Sequence, residues 1–111
     1  MYIVYLNYFR PIEDVEALLA PHITWLDQHF NSGDFIAAGR KDPSTGGMIM
    51  VKAMPRARLD HILADDPFVA VAHYEVTNVN ITRAADEVAV LKGYQRVSVT
   101  DRRSRLFCRF R

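Results

Sequence analysis

The sequence predicts an α+β domain of the ferredoxin-like, split βαβ type, and three observations carry that expectation. Its 111 residues are 50% hydrophobic and 24% charged, ordinary usage for one globular domain of roughly 100 to 150 residues. Segments with strand character and segments of helical period follow one another in the order β, α, β, β, α, β. Large aliphatic residues also fall on both parities of the strands, among them Ile3, Val4, Ile49, Val51, Val76 and Ile81. Two helices cover only one face of such a sheet. The second face then predicts a two-fold homodimer, sheets face to face around a shared barrel-like interior.

Each element has its own signal. Tyr2 to Tyr8 is β-branched and aromatic, and Arg10-Pro11 stops it as a first strand. From Glu13 the spacing of Val15, Leu18, Leu19, Ile23, Leu26 and Phe30 becomes helical, and Glu13, Asp14 and Glu16 suit the positive end of the helix dipole. Pro21 predicts a kink or two consecutive pieces, and Asn31-Ser32-Gly33 an end. Phe35 to Ala38 and Met48 to Ala53 read as strands, joined by a turn-forming loop from Gly39 to Gly47 whose glycines allow close backbone approach. Pro55 opens a second helix with Leu59, Ile62 and Leu63 as its stripe, and Asp65-Asp66-Pro67 ends it. Val69 to Ile81 alternates as a fourth strand. A last short helix is expected from an N-cap at Thr82 through Leu91, with Gly93 as its stop.

Charge is unevenly placed. Residues 1–91 hold seven Lys/Arg against twelve Asp/Glu, a net of −5, whereas residues 92–111 hold seven against one, a net of +6. An acidic domain over 1–91 with a basic extension over 92–111 is the expected organisation. Six arginines without a recognisable fold are a weak nucleic-acid signal, and a solvated extension explains them as well. Alternation at 96–99 and 106–110 allows short strands there. Cys108 is the sole cysteine, so no internal disulfide forms, in keeping with a cytoplasmic protein. No apolar run reaches the roughly 18 residues of a membrane span, and the N-terminus reads as a strand rather than a secretory leader.

One series of short motifs is distinctive. His22 is followed by Trp25-Leu26, then Ser32-Gly33, Phe35-Ile36, Ala38-Gly39, Gly46-Gly47 before a strand, and Asp65-Asp66-Pro67-Phe68 after the second helix. Over residues 1 to about 85 this pattern resembles the YCII-related (YciI-like) family. The resemblance implies a dimeric α+β barrel and a His and Asp dyad facing a small pocket, with the histidine on His22 and the aspartate on Asp66. Two features depart from the pattern. Arg40 stands where the family usually continues its Ala-Gly turn with proline, and the Arg-rich tail has no counterpart.

The chemistry of such a dyad follows from the residue types. Histidine takes and returns a proton near neutral pH once its tautomer is fixed, and a carboxylate on the far ring nitrogen fixes it. His22 on the first helix and Asp66 at the end of the second lie on neighbouring elements of this fold, so contact is feasible. A packed, structural His–Asp pair is the alternative. Three further residues are candidates for substrate binding: Arg40 for a carboxylate, Ser44 in the glycine loop as a hydrogen-bond donor, and Asp34 as a second carboxylate; a surface charge, a loop residue and a turn residue are their plain readings. Trp25 and Tyr74 fit a pocket wall or the core equally. His29, His61 and His73 have no metal-ligand spacing, and no cofactor fingerprint is present. Two function classes stay open: a cofactor-independent lyase-, dehydratase-, dehalogenase- or isomerase-like enzyme, and a dimer that binds a small molecule, or serves as an accessory subunit, without turnover. The fold likeness to cofactor-independent monooxygenases assigns no reaction.

Overall fold

The computed structural model describes residues 1–95. Its elements run β1 (Tyr2–Tyr8), α1 (Ile12–Ala17), α2 (Leu19–Asn31), β2 (Phe35–Arg40), β3 (Gly46–Val51), α3 (Arg56–Ala64), a 3₁₀ turn (Pro67–Ala70), β4 (Ala72–Asn78) and a 3₁₀ segment (Asp86–Gln95). The strands form one antiparallel sheet in the order β2-β3-β1-β4. This is the predicted split βαβ topology, with β1 and β3 in the middle. Among the described residues, no helix is long and apolar enough to cross a membrane.

Pro21 divides the long helical pattern by a specific clash. In a continuous helix its ring would press on the carbonyl four residues back, at Ala17. α1 ends at that residue, and Leu18 (φ −104, ψ 4) joins it to α2. Pro21 then occupies the first turn of α2, where a missing N–H costs nothing. His22 lies next to it, its amide donating to the Leu18 carbonyl at 3.1 Å. Gly33 (φ 85) closes α2 in the left-handed conformation.

Strand parity sorts the side chains. Val4, Leu6, Ile49 and Val51 are buried beneath the helices with Trp25, Leu59, Leu63 and Phe68. The register places Ile3 opposite Met50, and Tyr5 opposite Met48, on the other face. The indole N–H of Trp25 donates to the Ile62 carbonyl at 3.0 Å, tying α2 to α3. Gly46 is required by the close approach of β3 to β1: a Cβ there would lie 1.9 Å from the Leu6 carbonyl oxygen. The close contact made by this glycine pair is thus with a neighbouring strand.

Three expectations need correction. Pro55 is the N-cap of α3 rather than its first residue. The fourth strand begins at Ala72 rather than Val69, because Asp66 caps a 3₁₀ turn with Pro67 at its start, and the β1–β4 ladder ends with the pair Tyr2 and Asn78. After Asn78, no helix starts at Thr82; a 3₁₀ segment begins at Asp86, is broken at Val88 (φ −121, ψ 18) and contains Gly93. None of its residues is buried, so no packed face imposes a 3.6-residue period. The strands expected at 96–99 and 106–110 lie outside the described residues.

Gly46→Ala is expected to lower unfolding stability by about 3 kcal/mol through forced backbone displacement. Gly93→Ala, which meets nothing within 4 Å, should stay within about 0.5 kcal/mol of the parent. Urea denaturation of both variants checks the pair.

Candidate active site

The sequence Asp66-Pro67-Phe68 builds the centre of the site locally. Pro67 starts a helical turn, and the Asp66 carboxylate accepts the Phe68 amide at 3.0 Å as its cap. That cap fixes two things together. It holds Oδ1 towards α2, and it lays the Phe68 ring flat under the His22 imidazole, with centroids 3.7 Å apart and planes 3° from parallel. His22 Nδ1 meets Asp66 Oδ1 at 2.7 Å. Trp25, one turn later on α2, stacks at 5.6 Å from the imidazole.

Asp66 is 1% exposed, and a carboxylate so enclosed needs all its acceptor capacity used. Oδ1 receives His22 and the Phe68 amide, and Oδ2 receives the Tyr74 hydroxyl. Burial, then the hydrogen bond to Asp66 and its charge, push the Tyr74 phenol well above its ordinary value of 10.0, so it remains a donor. With Nδ1 facing a carboxylate, the geometry assigns the proton of a neutral His22 to Nδ1 and the lone pair to Nε2. Among the described residues Nε2 has no protein hydrogen bond.

His22 forms part of the wall of a cleft of about 320 Å³ between α2 and the sheet. Leu19, Ile23 and Leu26 supply the helix side, and Leu6, Ile49 and Phe68 the interior. Ala38, Gly39 and Gly47 supply little or no side chain where β2 and β3 form the floor. Tyr8 and Arg40 are the other titratable groups on its lining. Burial raises the Tyr8 phenol, Arg40 pulls it back, and Asp66 adds to the rise.

The candidate residues therefore separate. His22, Asp66 and Arg40 come together, the first and last on the cleft and Asp66 directly behind the imidazole. Asp34 does not line the cleft. It is buried at the start of β2, where it takes Arg58 at 2.8 Å and the Ser32 hydroxyl at 3.1 Å, with Lys52 at 4.0 Å. A turn position beside two basic side chains has made it a structural tie. Ser44 lies on a separate hollow of about 210 Å³ with Arg10, Ile12 and Thr45.

Tyr8 borders both hollows and was not singled out by sequence reasoning. Its signal was parity, since it shares the face of Leu6 at the end of β1. Trp25 is core, and Tyr74 serves the dyad. Burial holds the His29 imidazole below its usual range, beside Trp25 and Phe35. No group of three His, Cys, Asp or Glu among the described residues is placed to hold a metal ion.

A family model for the YCII-related domain matches residues 1–83. The chain belongs to the YCII-related family. No curated protein matches it. The match includes every residue of the cleft together with His22 and Asp66, and stops short of the 3₁₀ segment at Asp86.

Two outcomes test this geometry. Tyr74→Phe removes a hydrogen bond to a charged acceptor and should cost about 1.5 to 3 kcal/mol in denaturant unfolding. Because the folded phenol titrates above the unfolded value of 10.0, the unfolded chain loses its proton first as pH rises. Tyr74 thus contributes stability that is complete below pH 10 and is lost above it. Thermal unfolding between pH 9 and 11 should show that alkaline loss in the parent and a smaller one in Tyr74→Phe.

Proposed function

We propose that this protein is a cofactor-independent, small-molecule enzyme in which His22 transfers a proton and Asp66 steers it. The observation that supports this reading is the 2.7 Å Nδ1–Oδ1 contact behind an imidazole that borders a cleft. Nε2 takes a proton from a substrate carbon, and the C–H electron pair forms a double bond. In a lyase, dehydratase or dehalogenase the group on the adjacent carbon leaves with its bonding electrons. In an isomerase the pair passes to a neighbouring carbonyl, and His22 returns the proton at another carbon. Throughout, the Asp66 charge offsets that of the imidazolium, while Tyr74 and the Phe68 amide keep the carboxylate from turning.

The second reading, a structural pair in a dimer that binds without turnover, has its own support in the low exposure of His22, 8%, and its stacking on Phe68. In either case the working unit is a cytoplasmic homodimer, residues 1–91 forming the domain and 92–111 a basic extension. Ile3, Tyr5, Met48 and Met50 give the uncovered sheet face an apolar centre, and Tyr5 is 38% exposed. A second copy of that face would cover it.

Incubation in D₂O with a panel of small organic acids, lactones and ketones, followed by proton NMR, reads both hydrogen exchange and turnover. Loss by about 10² or more in His22→Gln and in Asp66→Asn, with folding retained, is the expected result. Activity within about threefold of the parent in His22→Gln would return the dyad to a structural role. Sedimentation should give twice the chain mass for the parent, and Tyr5→Glu should release monomer by setting like charges face to face.

A further inference from the structure

The ionisable groups lining the cleft share one bias. They are His22, Tyr8 and Arg40, and no carboxylate lines it; Asp66 is behind the imidazole with both oxygens occupied. A cationic ligand would find no counter-charge there. Arg10, Arg56 and Arg58 each hold an aspartate at 2.8 to 2.9 Å, whereas Arg40 has no carboxylate partner among the described residues. The Tyr8 hydroxyl likewise makes no protein hydrogen bond among them. Arg40 is close enough to act on that phenol electrostatically, and the net rise keeps the phenol protonated and able to donate. A guanidinium fork beside a phenolic donor matches the two oxygens of a carboxylate.

The remaining wall is hydrocarbon, from Leu19, Ile23, Leu26 and Phe68. At about 320 Å³ the cleft is near the lower end of the roughly 300 to 1,000 Å³ of small-molecule sites. Gly47, paired with Leu6 and Arg40, puts no side chain on its floor, and Ala38, paired with Ile49, only a methyl.

We infer that the cleft takes a small organic monocarboxylate, its carboxylate held by Arg40 and Tyr8 and its apolar body laid along Leu19, Ile23 and Leu26 beside His22. This rests on the proton-transfer reading for its consequence, since an anchored carboxylate would present a neighbouring C–H to Nε2. The binding claim itself stands apart from turnover. Arg40 and Tyr8 are then specificity-determining residues.

The test uses the full chain, isotopically labelled, titrated with acetate, butyrate and benzoate and with the matching amides, which keep shape and lose charge. At least one carboxylate should shift the Gly39 and Gly47 amide signals with an affinity about tenfold or more above its amide. Arg40→Gln should abolish that preference, and Arg40→Lys should retain part of it, because charge remains while the fork is lost. Tyr8→Phe should weaken carboxylate binding about three- to tenfold. Absence of any carboxylate preference in the parent, or its persistence in Arg40→Gln, overturns the inference and leaves proton transfer by His22 untouched. A preference that survives where His22→Gln has no effect on exchange or turnover removes the catalytic reading and leaves the acid-binding cleft.

Discussion

The buried carboxylate of Asp66 is the constraint on which the rest of the site depends. A group 1% exposed and carrying charge must draw its partners from the protein, because water cannot reach it. Those partners come from three elements: His22 from α2, the Phe68 amide from the 3₁₀ turn and the Tyr74 hydroxyl from β4. Satisfying the charge therefore also sets the distance of α2 from the sheet, and the cleft is the gap left beside that contact. Fold and site are one solution to the same electrostatic demand.

A second buried carboxylate shows what Asp66 would be without the cleft. Asp34 is 3% exposed and is equally well supplied, by Arg58, Lys52 and Ser32. Its partners include a permanent cation, and it lines neither of the two hollows. The charge is spent on joining the start of β2 to α3. Asp66 instead faces an imidazole, a group able to take and return a proton, and that imidazole borders a hollow. The difference lies in which partner each acid meets, since the two residue types are the same.

The unevenness of charge along the chain has a local counterpart in the site. The acidic stretch 1–91 presents to its cleft a histidine, a phenol and an arginine, and no acid. Two aspartates elsewhere are paired with arginines four residues away, Asp14 with Arg10 and Asp60 with Arg56. Arg40 is exposed at the end of β2, and from there it brings a permanent cation to the cleft lining.

Local sequence determined whatever depends on near neighbours along the chain. Strand β1, the division of the long helix by Pro21, the glycine close of α2 and the order of the elements all follow from residues within a few positions of one another, where sterics and hydrogen-bond period decide. The dyad was legible as well, because Asp66-Pro67-Phe68 is a self-contained turn and His22 belongs to a short motif. Tertiary structure alone decided what depends on distance. The late start of β4 follows from a cap and a ladder that must fit β1. Asp34 became a tie because Arg58 approaches it from α3, and Ser44 was carried away from the cleft by its loop. Tyr8 was brought to the same cleft as Arg40 from a strand two places away in the sheet. No pattern along a chain encodes which side chains of separate elements will share one cavity, since that is fixed only when the sheet and helices close on a common core.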